Sequence, residues 1–224
     1  MKNVLPERVV SALESVLERH GEPIRSETCM EQAAARLNVG RRYGVPAAQL
    51  WREMAVLWER LSELRPTVVV EVGSLRGGWL YAVAPVCAER AHLIGIDNSP
   101  NNSRATAEKE LTGEGHQVEW IARDSHAPLT LIELQGLLKG KKVDVLHIDG
   151  DHSLAGVLQD WEMYSPLVRP GGLVLLHDAV NPTEEVSLAL AELQRRKPGN
   201  VDTIETIADV AARLTLGIAI IRIR

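Results

Sequence analysis

Five short polar clusters, each following a run of aliphatic or β-branched residues, carry the chemistry available to this chain. Glu71-Val72-Gly73-Ser74-Leu75-Arg76-Gly77-Gly78 closes the first run. Asp97 and Asn98 follow the second, Asp124-Ser125 the third, Asp149-Gly150-Asp151-His152 the fourth and His177-Asp178 the fifth. A glycine-rich turn lets backbone approach a ligand where a Cβ would collide. The spacing here is Glu71-x-Gly73-x-x-x-Gly77, not the Gly-x-Gly-x-x-Gly that seats a pyrophosphate on a helix N-terminus. An acid two residues before the glycine suits a cationic or hydroxyl-rich ligand better than a diphosphate. Asp97 is placed for ribose hydroxyls, which a carboxylate can accept bidentately. Asp124 and Ser125 are placed for an adenine edge. The ligand these residues suggest is a nucleoside with a positively charged appendage.

Each residue also has a plainer reading. Asp97 and Asp124 are good helix N-caps. Asp151 can brace its loop, His152 can cap the next helix, and His177 can be a half-buried histidine that orients Asp178. His126, His147, Trp51, Trp58 and Trp161 read first as structural residues, and Arg195-Arg196-Lys197 as a solvated helix end that complements its dipole. Tyr43 and Arg76 are candidates to close over a ligand.

The elements that must position these clusters are legible from periodicity. Residues 1–65 read as helices: Leu5, Val9, Leu13, Val16 and Leu17 recur at helical spacing up to Gly21. Thr28 with Glu31 resembles a capping box. Pro46 suits a first helical turn, and Leu50, Met54, Leu57, Leu61 and Leu64 form one apolar stripe that Pro66 closes. From residue 66 to 224 the pattern changes to short apolar strands: Thr67–Val72, His92–Ile96, Gln117–Ala122, Val143–Ile148, Gly172–His177, Asp202–Ile207 and Leu216–Ile223. Helices are expected near Arg76–Arg90, Asn102–Leu111, Pro128–Leu138, Ser153–Tyr164 and Thr183–Arg196, with Pro85 kinking or ending the first of them. Continuous apolar strands alternating with helices imply a Rossmann-like, mostly parallel sheet covered on both faces. The short link between the last two strands implies one antiparallel strand at one edge, seven in all. Ligands of such sheets lie outside the carboxyl ends of the strands, which is where the five clusters fall.

Composition bounds the function. With 45% hydrophobic and 25% charged residues among 224, the chain is globular rather than disordered. A net charge of −5 advertises neither a nucleic-acid nor an anionic-membrane surface. Cys29 and Cys87 form no disulfide framework or zinc motif. Without a signal-peptide pattern or a long apolar window, the expected location is the cytoplasm.

VVVEVGSLRGG, GIDNS, ARDS and VDVLHIDGDHS…LVRPGGLVLLHD resemble class I S-adenosylmethionine-dependent methyltransferases, and more narrowly the cephalosporin hydroxylase-like and catechol-type O-methyltransferase branches. The resemblance runs from about Gly44 to Arg224. It implies that Gly73, Ser74 and Gly77 cradle the methionine part of the cofactor, with Glu71 near its amino group. It places Asp97 and Asn98 at the ribose and Asp124 and Ser125 at the adenine. In metal-dependent relatives the strand-four carboxylate and an acidic pair after strand five hold a divalent ion, here Asp149, His177 and Asp178. The third residue after the first ligand, His152, is the base. Two departures stand out: Ala179 cannot coordinate, and His177 replaces a carboxylate. Imidazole is a poorer ligand for magnesium than for zinc, iron or manganese-like ions.

The function expected is O-methylation of a small hydroxylated metabolite, sugar-bearing or phenolic, with S-adenosylmethionine as donor and a divalent metal as an open question. The expected partners are a small-molecule acceptor and a second copy of the chain, with residues 1–65 as a helical cap or interface. The alternatives are a nucleotide-cofactor oxidoreductase on a Rossmann-type sheet and a non-catalytic cofactor-binding protein.

Overall fold

The computed structural model describes residues 36–38, 40, 47, 51–99, 104–207 and 216–224. The expected helices before residue 36, the Thr28–Glu31 capping box, Pro46 and Tyr43 lie outside these residues. The described elements are α1 (Trp51–Leu64), β1 (Val68–Val72), α2 (Gly78–Val83), β2 (His92–Ile96), α3 (Arg104–Gly113), β3 (Gln117–Ile121), α4 (Pro128–Leu138), β4 (Val143–Ile148), α5 (Leu154–Tyr164), β5 (Val168–His177), α6 (Val186–Arg196), β6 (Val201–Ile207) and β7 (Ile218–Ile223). Among the described residues no helix is long and apolar enough to cross a membrane.

The strands form one seven-stranded sheet in the order β3-β2-β1-β4-β5-β7-β6. The pairs among β1–β5 are parallel, and β7 runs antiparallel to both β5 and β6. The antiparallel strand expected at one edge is therefore present; it sits one place in, and β6 forms the rim. Strands β1, β2 and β4 are buried along their whole length because helices cover both faces.

Period-two alternation divides the core in two. Val69, Val145, Leu173, Leu175, Ile218 and Ile220 face α1, α2 and α3, where Met54, Leu57 and Leu61 of α1 are fully buried. Val70, Val72, Leu146, Ile148, Val174, Leu176 and Ile221 face α4, α5 and α6. Trp58 and Trp161 belong to these two cores, as their structural reading anticipated, and Trp58 Nε1 donates to the Ala82 carbonyl at 2.9 Å.

Local chemistry explains where the elements stop. The crossover helix α2 starts at Gly78 and ends at Val83, then tightens into a 3₁₀ turn over Ala84–Val86. Pro85 lacks the N–H that would continue an α-helix, so the early end has the expected cause. Ser153 caps α5 by accepting from Gly156 N–H at 3.0 Å, and Pro128 opens α4. Strand β5 begins at Val168, before the expected Gly172, because Val168 already pairs with Val143 across an irregularity in the ladder.

At the sheet end away from the polar clusters, the buried Asp144 carboxylate accepts from Thr67 N–H at 2.7 Å, Thr67 Oγ1 at 2.8 Å and Val68 N–H at 2.9 Å, and pairs with Arg169. Burial opposes its charge, but the bonds from Arg169 and Thr67 outweigh that and hold its pKa below the usual range. Asp144→Ala would orphan two backbone donors and a guanidinium. We expect a loss of about 3 kcal/mol in a urea unfolding titration. An unchanged midpoint would show that water replaces the carboxylate without cost.

Candidate active site

The carboxyl ends of β1 to β5 open into a cleft of about 630 Å³, within the usual range for small-molecule sites. Its floor is the turn after β1. Gly73 N–H and Ser74 N–H both donate to the Ile96 carbonyl, at 2.8 and 3.1 Å, which ties this turn to β2. Gly73 has φ +84°, and a Cβ there would lie 2.0 Å from the Asp149 carbonyl oxygen. Only glycine lets the β1 and β4 loops meet. Gly77, also at positive φ, precedes α2 and packs on the Trp120 ring instead of lining the cleft. The same ring fills the space a Cβ on Gly95 would take, so Trp120 props the turn from below.

Asp97 leaves β2 at the cleft edge. Its Oδ2 accepts from Leu75 N–H and its Oδ1 from Ser99 N–H, each at 2.7 Å, and Arg104 Nη2 lies 2.9 Å from Oδ1 as an ion pair while donating to the Ser99 carbonyl. One backbone donor on each carboxylate oxygen leaves a further acceptor direction on each. Asn98 is exposed beside it and lines the cleft. Across the cleft, Asp124 is exposed and accepts from His126 N–H at 2.9 Å. The Ser125 carbonyl is held by the Tyr164 hydroxyl. Asp160 of α5 is fully buried beneath this loop, 3.3 Å from His126 Nε2. Burial pushes its pKa up to about 6.

The centre of the cleft is a chain of acids and imidazoles. Asp149 Oδ1 accepts from His152 Nε2 at 3.2 Å and from His177 Nδ1 at 3.1 Å. His177 Nδ1 also lies 2.9 Å from Asp178 Oδ2. His152 Nδ1 faces Asp178 at 3.7 Å and Glu184 at 3.6 Å. Burial works against charge on both His177 and Asp149. The Asp149 and Asp178 bonds nevertheless push the His177 pKa up to about 10, and the bonds from His152 and His177 hold the Asp149 pKa far below the usual carboxylate range. The hydrogen bond to Asp149 also raises the His152 pKa. Behind this chain, His147 stacks on Trp79 with ring centroids 4.1 Å apart, and its Nδ1 lies 3.3 Å from Glu71 Oε1. Burial lowers the His147 pKa to about 3. Burial first, then the Asp149 and Asp97 charges, lift the Glu71 pKa well above normal. Burial thus favours the uncharged forms of Glu71 and His147, beneath the ion pair of Asp149 and His177.

The structure brings the predicted Glu71, Gly73, Ser74, Asp97, Asn98, Asp124, Ser125, Asp149, His152, His177 and Asp178 to one cleft, and leaves Gly77 just behind it. Among the described residues, potential ligand atoms converge within 4.8 Å in two sets, Asp149/His152/Asp178 and Glu71/His147/Asp149. Sequence reasoning missed Arg104, Trp120, Trp79, Asp160 and Glu184. Gly95 inside a β-branched strand was the one signal for Trp120, since a strand glycine marks a close neighbour.

Residues 70–179 match the family model described as a methyltransferase domain. Rhamnosyl O-methyltransferase of Mycobacterium bovis is 27% identical over 138 residues, 58% of this chain and 54% of that protein, so the chain spans about half the length of the curated relatives it matches. Two solved structures share the fold at 14% identity and TM-score 0.63. One is an O-methyltransferase from Bacillus cereus in complex with SAH, covering 95% of this chain and 97% of that one. The other is the O-methyltransferase TomG of tomaymycin synthesis from Streptomyces achromogenes, in complex with SAM, covering 98% and 99%.

The raised Glu71 pKa carries a test of this electrostatic layout. Its folded pKa lies above the unfolded value, so above about pH 4.5 the unfolded chain releases a proton that the folded state keeps. Stability from this group is then lost progressively as pH rises toward the folded pKa. Glu71→Gln removes that slope, and its melting temperature should exceed the wild type's by more near pH 8 than near pH 5. A difference independent of pH would mean that Glu71 is ionised in the folded protein.

Proposed function

We propose that this chain, a class I S-adenosylmethionine-dependent methyltransferase by its fold and by the domain at residues 70–179, methylates a hydroxyl of a small sugar-bearing or phenolic molecule. The observation that carries this reading is His152, hydrogen-bonded to Asp149 and facing the cleft floored by the Gly73 turn. The likeness to an enzyme named for rhamnosyl O-methylation favours a sugar hydroxyl. The oxidoreductase alternative lacks the glycine pattern and has no comparable support.

The residues present fit the cofactor. The Gly73 turn has no side chain in the way, and Ser74 Oγ and Glu71 Oε2 are buried there without a hydrogen-bond partner among the described residues. In this reading the Gly73 and Ser74 backbone receives the methionine part, Glu71 lies below its amino group, Asp97 and Asn98 meet the ribose, and Asp124 and Ser125 meet the adenine. The bound cofactor supplies a sulfonium methyl group to an in-line displacement. His152 donates its Nε2–H to Asp149, which fixes the ring orientation, and takes the acceptor's hydroxyl proton on Nδ1, the nitrogen on the Asp178 and Glu184 side. Much of the remaining acceleration is positioning of the two substrates.

A divalent ion would lower the pKa of the acceptor hydroxyl. Asp149, His177 and Asp178 would hold it only once His177 Nδ1 releases the proton it shares with the two carboxylates, whereas Asp149, His152 and Asp178 already bring ligand atoms within 4.8 Å of one another. One imidazole among them, with the buried Ala179 offering nothing, turns the preference from magnesium toward zinc, iron or manganese-like ions.

Calorimetric titration of metal-stripped protein with S-adenosylmethionine should show binding, and His152→Ala should leave that affinity within about twofold while cutting kcat by about 10²–10³. Because the His152 pKa is raised, the base is protonated at low pH, and kcat/KM should climb through a value above 6.5. An unchanged kcat would remove His152 from the chemistry. Absence of binding would remove the cofactor. Repeating the assay with magnesium, manganese and zinc tests the ion.

A further inference from the structure

We infer that His126 is a specificity-determining residue of this cleft, where its Nδ1 accepts from the exocyclic amino group of the cofactor's purine. The inference rests on the reading that the loop after β3 meets the adenine. It adds a side chain from that loop that tells a 6-amino purine from a 6-oxo one. His126 lines the cleft, and its side chain is 21% exposed.

Two groups of α5 face the other ring nitrogen. Nε2 is hydrogen-bonded to the Gly156 carbonyl at 3.3 Å, and it lies 3.3 Å from Asp160 Oδ1 as an ion-pair contact. A carbonyl only accepts, so the hydrogen of the neutral ring sits on Nε2. Asp160 acts in the same direction. It is fully buried, and burial pushes its pKa up only to about 6. Above that pH its carboxylate is also an acceptor alone. The tautomer of His126 is therefore set from behind, by groups that no ligand in the cleft touches.

Nδ1 is left with a lone pair. It makes no hydrogen bond among the described residues and lies 4.0 Å from Asp124 Oδ1. The loop that carries it is well anchored. His126 N–H donates to Asp124 Oδ1 at 2.9 Å, Thr130 Oγ1 donates to the Asp124 carbonyl, and the Tyr164 hydroxyl donates to the Ser125 carbonyl. Arg123, the neighbouring cation, is paired with Glu133 at 2.7 Å. Nδ1 and the Asp124 carboxylate thus stand as two adjacent acceptors. An amino group offers two N–H donors and complements such a pair. A 6-oxo group would press a third acceptor against it.

The test is calorimetry near pH 8 with S-adenosylhomocysteine, its analogue lacking the 6-amino group and its 6-oxo analogue, on wild type and His126→Ala, with thermal melts alongside. In the wild type, the analogue without the amino group should bind about tenfold weaker than the parent, and the 6-oxo analogue at least as weakly. His126→Ala should weaken the parent about fivefold and leave the analogue without the amino group within about twofold, so that the loss is confined to the ligand that carries the donor. A histidine that only braces α5 through Gly156 would weaken both ligands alike or neither, and either result would overturn the inference. Equal wild-type affinity for the parent and either analogue would overturn it without any variant. Failure of the wild type to bind S-adenosylhomocysteine would overturn the cofactor reading itself, and this inference with it.

Discussion

Asp149 keeps its charge at the buried end of β4 because two imidazoles donate to one of its oxygens. An isolated carboxylate there would take up a proton or unfold its surroundings. The rest of the site follows from that charge. His177 is drawn into a cation by Asp149 and Asp178 together, and His152 is made more basic by the same Asp149 oxygen. Glu71, one layer deeper, is pushed toward its protonated form by burial and by the Asp149 and Asp97 charges, beside a His147 that burial pushes toward neutrality. Depth thus weakens the charging of these groups and limits repulsion among the acids of the cleft.

Strand parity makes this layering possible. Glu71 lies opposite His147 in the β1–β4 ladder, and His177 lies two residues beyond Leu175, the partner of His147. All three side chains share the face of the sheet that also carries Val69, Val145 and Leu175. The apolar core on that face therefore grades into a polar row at the carboxyl ends, under the lid of Trp79. A one-residue slip in any ladder would turn its polar member to the α4–α6 side, into a wholly apolar layer.

Much of this was legible in the sequence. The apolar runs placed β1, β2 and β4 to the residue or nearly so, because strands buried on both faces leave an unbroken signature. The five polar clusters marked the cleft for the same reason: strand ends in an open parallel sheet share one edge. Two kinds of information were not legible. Boundaries set by ladder pairing, such as the early start of β5, depend on a partner distant in the chain. Side chains that act on loops from elsewhere, such as Arg104, Trp120 and Asp160, carry no periodic mark, and an arginine opening a helix reads as solvated surface.

The order of the chain along the sheet has a consequence for how such a protein can diversify. The Gly73 turn, Asp97, Arg104 and Trp120 come from one continuous stretch, whereas Asp149, His152, His177, Asp178 and Glu184 come from another. The two stretches meet along the β1–β4 ladder, where Gly73 packs on the Asp149 backbone and Glu71 and Trp79 contact His147 behind the cleft. Drift in the second stretch away from that seam can therefore reshape what is presented to the reacting group while the first keeps its grip. Inheritance of the cleft then behaves as two cassettes coupled through the β1–β4 seam.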